Sequence, residues 1–491
     1  MKATYKSLIA ILLIFISSSS CQEKFDEINV DPDTFPSADD ATVLSSALGF
    51  MSYMIDVDLN MASFLWAQYY TWGIGVALGN QERFVAQPDD FSNYWERAYA
   101  DVLIDLKRLK KSESAAYRGV ARILEAYVYQ GLVDHFGDVP YSQAVSGEIE
   151  EGGILTPAYD NAATIYASLV ESIDLALEEF DVAQNDIGSD DLLYGGNLSK
   201  WTKFANSLKL RLLMRTSEVS PQGSAVQALI ANGTFIETEA DMPQIESSPN
   251  AGSQNPMYAR MEWGVGDFYF ASNATLNVLQ ALGDPRGTKF YDVATTGAHA
   301  GQLWGIDQGT IESEPFTAPA SDYSGSSDIA YAIDNPVILM SPWEVWFLRA
   351  EAAVRYGTAD DEVEAFENAV RSNFEFLGLS DTDADNYLTS LGFDALADED
   401  EKINTIGIQK WISLNGTQED EGWIEARRFD RGPGDENRIF TKEGGIWQVP
   451  PKSVLPGRQF PHAWLIPATE RALNPNAPAQ RSLTDKIFWD D

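Results

Sequence analysis

Cysteine and histidine are nearly absent from this chain of 491 residues. Its one cysteine cannot form an internal disulfide. Its three histidines, His135, His299 and His462, lie too far apart for a zinc helix of the H-E-x-x-H type. Neither a G-x-S-x-G nucleophile turn nor a D-x-D-x-D-G calcium loop is present. We therefore expect that the protein is not an enzyme and has no cofactor and no metal site.

Basic residues are also scarce. The chain has 34 lysines and arginines against 74 aspartates and glutamates, which gives a formal net charge of −40. Because such a surface repels a phosphate backbone, we expect no nucleic-acid binding. Hydrophobic residues, in contrast, make up 44% of the chain and include 13 tryptophans. This content is enough for a large core and for some rings that face a ligand.

Long apolar runs are missing, since none approaches the roughly 20 residues that span a bilayer. The short run Leu8–Ile16 follows two lysines and precedes four serines and Cys21. This pattern predicts a lipoprotein signal peptide over residues 1–20, with the Cys21 thiol as the lipid attachment site and residues 21–40 as an acylated tether. The alternative is ordinary secretion with a free cysteine.

Helical periodicity dominates the rest of the chain. Ile165, Leu169, Ile173 and Leu177, for example, form one apolar stripe. Paired amphipathic helices of this kind predict a mainly α-helical scaffold of divergent repeats. Helices are expected within 118–136, 160–180, 199–218, 42–57, 91–110, 343–356, 360–376, 384–391 and 399–415.

We interpret residues 41–491 as a single domain with two less regular parts. The scaffold is assigned mainly to 41–240 and 340–430. Residues 240–340 are rich in proline, glycine, serine and asparagine, and long irregular segments on a helical body are often functional. We therefore expect this loop-rich region to bind a ligand. The C-terminal part, 430–491, is expected to be irregular, with room for a short hairpin within 430–465, and the whole domain is expected to contain at most short β-hairpins.

Six blocks of sequence follow one another along the chain. They are "ARILEAYVYQGLVDHFGDVPYSQA" (121–144), "TPAYDNAATIYASLVESIDLAL" (156–177), "DLLYGGNLSKWTKFANSLKLRLLMR" (191–215), "GDPR" (283–286), "NPVILMSPWEVWFLRAEAAVRYG" (335–357) and "IQKWISLNGTQEDEGWIEARRFDR" (408–431). In this order they resemble the SusD/RagB-like outer-membrane lipoproteins of Bacteroidota, in the SusD-like branch with the "KW…FANSLKLRL" signature.

The resemblance implies four tetratricopeptide-like helix pairs that carry a more irregular subdomain. It also implies a lipid-anchored protein on the outer face of the outer membrane. Such a protein captures a poly- or oligosaccharide without catalysis and passes it to a SusC-like, TonB-dependent transporter. The alternatives are a tetratricopeptide-like protein-binding scaffold and a peptide-capturing lipoprotein of the same uptake type.

The six blocks are interpreted as scaffold rather than binding site. We expect Gly137 to end a helix, Asp284 to pair with Arg286, and Arg427 and Arg428 to lie in buried polar networks. Three tryptophans at helical spacing are expected in the core, namely Trp95, Trp201 and Trp411.

A sugar ring has an apolar face and a rim of hydroxyls, so its site needs exposed aromatic rings with polar neighbours such as Asp307 and Asp322. Three stretches outside the predicted helical cores contain such residues, at 67–84, at 259–273 and, in two pieces, at 301–308 and 320–325. Each ring is otherwise explained as a loop anchor. The predicted ligand-binding residues are Trp72, Tyr70, Trp263, Tyr269, Trp304, Tyr323, Asn80 and Arg83.

Overall fold

The computed structural model describes most of the chain from residue 38 onward. The described ranges are 38–73, 81–147, 153–262, 269–310, 319–327, 331–431 and 438–490. The predicted signal peptide, Cys21, Asn80 and Trp263 lie outside them.

Helices form most of the described part, as the periodicity predicts. The α-helices are α1 Asp40–Tyr53, α2 Asn60–Trp66, α3 Ser92–Glu96, α4 Ile104–Leu109, α5 Ala115–Phe136, α6 Ala162–Val182, α7 Leu198–Arg215, α8 Gly223–Asn232, α9 Pro256–Glu262, α10 Asn273–Leu282, α11 Gly287–Phe290, α12 Pro342–Tyr356, α13 Glu362–Phe376, α14 Asp381–Leu391, α15 Glu399–Leu414, α16 Glu419–Phe429 and α17 Ala468–Leu473. Two π-helical stretches, Met54–Leu59 and Arg97–Leu103, join α1 to α2 and α3 to α4. None of the helices in the described ranges is long and apolar enough to cross a membrane.

The helix ends follow from local chemistry. The Ser114 side chain accepts a hydrogen bond from the Tyr117 backbone at the start of α5. The same helix ends at Gly137, whose φ of +76° is accessible to glycine at little cost. At α12, Ser341 is the N-cap and Pro342 the first residue, where the missing backbone donor costs nothing. The predicted end of a helix at Gly137 is confirmed.

Three short antiparallel strand pairs accompany the helices. Strand β1 (Tyr70–Trp72) pairs with β5 (Tyr269–Ala271), β2 (Val139–Pro140) with β3 (Tyr159–Asp160), and β4 (Gln244–Ile245) with β6 (Val337–Ile338). The β1–β5 and β4–β6 pairs join segments that lie far apart in the chain, whereas β2 and β3 are consecutive strands connected by residues 141–158. The mainly α-helical fold with only short strands is confirmed.

Consecutive helices pack as pairs, most extensively α5 with α6, α12 with α13, and α15 with α16. Their facing sides form one core rich in aromatic rings. Ten of the twelve tryptophans that the structure describes are buried, including the three predicted to be so, which leaves Trp304 and Trp346. The buried ones are Trp66, Trp72, Trp95, Trp201, Trp343, Trp411, Trp423, Trp447, Trp464 and Trp489.

A buried ionic network joins four helices of the scaffold. Glu425 on α16 binds Arg215 of α7, lies 2.8 Å from Lys410 Nζ of α15, and lies 2.7 Å from Arg428 Nη2. Arg428 also binds Glu351 of α12 at 2.6 Å. Burial by itself would raise the pKa of the Glu425 carboxyl, but the three cations lower it well below its usual value.

The other predicted polar contacts are also present. Arg286 forms an ion pair with Asp284 at 2.6 Å, and both side chains are fully buried. Arg427 donates a hydrogen bond to the Asp134 backbone carbonyl at 3.1 Å. The arginines and aspartate singled out in the sequence blocks therefore serve the packing of the scaffold, as predicted.

Candidate functional site

Four chain segments meet beside the β1–β5 pair. The Ser272 backbone N–H donates to the Tyr69 carbonyl, and Ala271 donates to the Ser324 carbonyl at 2.9 Å. The Ile306 N–H in turn donates to the Ala271 carbonyl at 3.0 Å. These bonds attach the segment around residue 304 and the segment around residue 324 to the edge of the scaffold.

Trp304 lies at the surface of this junction with 42% of its area exposed. Its backbone N–H donates to Ser324 Oγ at 2.9 Å, and its carbonyl accepts from the Ser324 N–H at 2.8 Å. The His299 ring stacks on the indole with 3.5 Å between centroids and 7° between planes. His299 therefore supports the indole on one side while the side chain remains open to solvent.

The loop that carries His299 is held against a second loop. Thr296 Oγ1 donates to Asp322 Oδ1 at 2.5 Å, and the Gln302 N–H donates to the His299 carbonyl at 2.9 Å. Gly297 has a φ of +73°, and a Cβ there would lie 2.6 Å from the Asp322 carboxyl carbon. The close approach of the two loops therefore requires glycine at this position.

Polar and aromatic side chains flank the indole. Tyr323 is half-buried with its ring edge-on to Phe270 at 6.3 Å, and partial burial together with Asp322 raises the pKa of its hydroxyl. The exposed Asp307 accepts a hydrogen bond from Asn273 Nδ2 at 2.7 Å. We call the set Trp304, His299, Tyr323, Asp307 and Asp322 the Trp304 platform.

Three other predicted site residues lie in the interior. Trp72 stacks on Tyr269 with 4.4 Å between ring centroids, and both are buried. Tyr70, on the same strand as Trp72, has no exposed area. The β1–β5 pair brings these rings together away from solvent, where they pack the core. Arg83 is half-buried on the helical turn Gln81–Arg83.

The structure adds residues that the sequence analysis did not assign to the site. His299 appeared only as an isolated histidine, and Asn273 only as the end of an aromatic stretch. Neither has a local signal, because their partners Trp304 and Asp307 lie elsewhere in the chain. Within the described ranges, no three metal-ligating side chains are grouped as a metal site requires.

A groove of about 560 Å³ lies next to the platform, between α10, α15 and the turn at 439–448. Gln448 lines it and accepts a hydrogen bond from the Gln308 N–H at 3.1 Å, one residue after Asp307. Its walls are mainly aliphatic, with polar groups from Asn277 and Lys442. An extended ligand lying on the indole would therefore meet a second concave surface.

The fold is found in known proteins. It is similar to the solved structures of a chitin-binding protein (TM-score 0.74, 23% identity, covering 92% of this chain and 100% of that chain) and of a chitin-binding SusD homolog from Flavobacterium johnsoniae (0.74, 20%, 91% and 98%). A SusD homolog from Bacteroides uniformis is equally similar (0.73, 21%, 92% and 100%).

Sequence comparison assigns the family. No curated protein matches the chain. A family model named SusD-like and described as "starch-binding associating with outer membrane" matches residues 32–434, which is well over half of the chain. The protein therefore belongs to the SusD-like family.

Proposed function

We propose that the protein is a cell-surface lipoprotein that captures a poly- or oligosaccharide on the Trp304 platform and delivers it, without catalysis, to a SusC-like, TonB-dependent transporter. The family description and the chitin-binding relatives support glycan binding. The observation that carries the proposal is the exposed indole of Trp304, held flat against His299.

The platform has the two surfaces that a sugar ring needs. The indole offers a flat apolar face to the C–H groups of a pyranose, and it loses little conformational freedom because His299 already holds it. Asp307, Asp322 and Asn273 offer hydrogen-bonding groups whose positions are fixed by their own contacts. The neighbouring groove provides room for further rings of the same chain.

Glycan capture is tested by native gel electrophoresis of the mature protein in gels that contain starch or a soluble chitin derivative. We expect retardation by at least one polysaccharide, its loss in Trp304→Ala, and no new reducing ends after long incubation. Unchanged retardation of Trp304→Ala would show that the sugar binds elsewhere. Release of reducing ends would contradict the non-catalytic role.

The anchor and the transporter are tested in cells. Lipid attachment at Cys21 predicts that Cys21→Ala moves the protein from the outer-membrane fraction to the soluble fraction, because each buried CH₂ of an acyl chain contributes about 0.8 kcal/mol. Affinity purification of the wild-type protein from detergent-treated outer membranes is expected to recover a TonB-dependent barrel. Recovery of the protein alone would contradict the transporter role.

A further inference from the structure

Cationic side chains are missing from the part of the chain that forms the Trp304 platform. From residue 290 to residue 348 the sequence contains no lysine and no arginine. The same stretch contains eight acids, among them Asp292, Asp307 and Asp322. All five platform residues lie within it, so the platform brings carboxylates to the ligand and no side chain with a permanent positive charge.

The basic residues at the two ends of this stretch point toward the scaffold. Lys289 directs its ammonium group toward Gly378, since a Cβ on that glycine would lie 4.0 Å from Nζ. Arg349 binds Asp360 and Glu237, each at 2.6 Å, and its guanidinium covers the ring of Trp346. Neither residue is directed to the platform.

The carboxylates of the platform are fixed in place. Asp322 is held by Thr296, and Asp307 is held by Asn273 at 2.7 Å. Because these contacts are hydrogen bonds from neutral groups, they leave the negative charge uncompensated. The formal net charge of −40 adds repulsion over about one Debye length, which is roughly 10 Å at 0.1 M salt.

This inference rests on the glycan binding proposed above. We propose that the Trp304 platform selects glycans by charge, accepting rings without acidic groups and excluding polysaccharides that carry carboxylate or sulfate. Binding removes water from the charged group of an acidic sugar, and lysine or arginine normally offsets the free-energy cost of this desolvation. Carboxylates at the site add electrostatic repulsion to that cost. A sugar ring with a free ammonium group is instead bound more tightly, because indole and carboxylate both attract cations.

The test is calorimetric titration of the mature protein with four hexasaccharides at 20 mM and 500 mM NaCl. The neutral probes are N-acetylglucosamine and α-1,4-glucose hexamers, the cationic probe is a glucosamine hexamer, and the anionic probe is hexagalacturonate. We expect a neutral probe to bind about equally at both salt concentrations. At low salt, hexagalacturonate is expected to bind at least tenfold more weakly than that neutral probe. The glucosamine hexamer is expected to bind at least as tightly as its N-acetylated form at low salt.

A matched pair of variants tests the missing cation directly. Ala300 is exposed and follows His299 in the chain. Ala300→Lys is expected to increase the affinity for hexagalacturonate about threefold at low salt and not at high salt. Ala300→Gln, which has a polar side chain without the charge, is expected to leave the affinity unchanged.

The outcomes separate this inference from the proposed function. Equal low-salt affinity for hexagalacturonate and a neutral probe, with both lost in Trp304→Ala, would overturn charge selection and keep glycan capture. Hexagalacturonate binding that disappears in Arg83→Gln, or in Lys442→Gln in the neighbouring groove, would also overturn it, because a cation from another segment would then serve the site. Binding of none of the probes would contradict glycan capture itself and the charge selection that depends on it.

Discussion

In the helical scaffold, Glu425 lies between Arg215, Lys410 and Arg428, whereas at the Trp304 platform Asp307 and Asp322 are bound by neutral groups. The first carboxylate is buried and compensated, and the others lie at least partly in solvent. Burying a charge without a partner costs several kcal/mol, so the scaffold must pair its acids. The platform has no such requirement, and its acids remain available to a ligand.

Among the tryptophans that the structure describes, the two outside the core show the same contrast. Trp346 of α12 is half-buried, with the Arg349 guanidinium 4.0 Å above its ring and its Nε1 donating to the Glu237 carbonyl. Trp304 has a histidine on one side and solvent access. Both residues are tryptophans, and they differ in what lies against the ring. The Arg349 guanidinium covers Trp346, whereas Trp304 remains accessible to solvent and to a ligand.

The largest effect is expected in the scaffold. Glu425→Gln removes the negative charge between three buried cations, so the free energy of unfolding should fall by about 3 kcal/mol or more. The measurement is urea denaturation followed by tryptophan fluorescence. Glu367→Gln is the control, because Glu367 and Arg371 form a solvent-exposed pair at 3.6 Å that contributes at most about 0.5 kcal/mol. Similar losses in both variants would contradict the contrast between buried and exposed charges.

The next effect separates the two tryptophans. Trp304→Ala should weaken glycan binding about tenfold or more with little change in thermal stability, since the indole lies at the surface, outside the core. Trp346→Ala should lower the free energy of unfolding by about 1 kcal/mol through the loss of the Arg349 contact and leave glycan affinity unchanged. Titration and denaturation of both variants check this. A loss of affinity in Trp346→Ala would contradict the assignment.

A third prediction uses a buried acid that is not surrounded by cations. Burial, with further contributions from Asp56 and Asp420, raises the pKa of Glu419 to about 8 from its ordinary 4.5. The folded state therefore holds a proton that the unfolded chain has lost, and the stabilisation from Glu419 declines as pH rises from about 4.5 to about 8. Thermal melts should show that the Tm of the wild-type protein is lower at pH 9 than at pH 6. In Glu419→Gln this decrease in Tm should be smaller by about 2 °C. An equal decrease in both proteins would contradict a raised pKa.

The smallest effect concerns the support of the indole. His299→Ala should weaken glycan binding about threefold, because the Trp304 ring then loses the stack that orients it. His299→Phe keeps a flat ring and is expected to restore most of the affinity. Adding His299→Ala to Trp304→Ala should have no further effect on binding. An additive loss in that double variant would show that His299 contacts the sugar by itself.

Much of the scaffold was predictable from the sequence. Apolar residues at helical spacing, such as Ile165, Leu169 and Ile173, placed α6 correctly. The Asn161 side chain caps its N-terminal end by accepting a hydrogen bond from the Thr164 N–H. The pairing of Asp284 with Arg286 was also predictable, since two residues of separation around a turn permit contact. These features depend on interactions between residues that are close in the chain.

The exposure of the candidate binding rings was less predictable. Tyr70 and Trp72 stand before glycines in a stretch that suggests an exposed loop, and Tyr269 has a similar setting. All three are nevertheless buried, because β1 and β5 pair across almost 200 residues of chain. Trp304 has no stronger local pattern than Trp72, so no rule based on neighbouring residues distinguishes the exposed ring from the buried one.

By itself the sequence determined the longer scaffold helices, the pairing of Asp284 with Arg286, the acidic charge and the absence of lysine and arginine around Trp304. The helices α9 and α10, in contrast, lie in the region that the sequence assigned to loops. Only the tertiary structure decided which rings reach solvent and that His299 stacks on Trp304. The physical reason is the range of the interactions. Helical hydrogen bonds join residues four apart, whereas the exposure of a side chain depends on which distant segments fold over it.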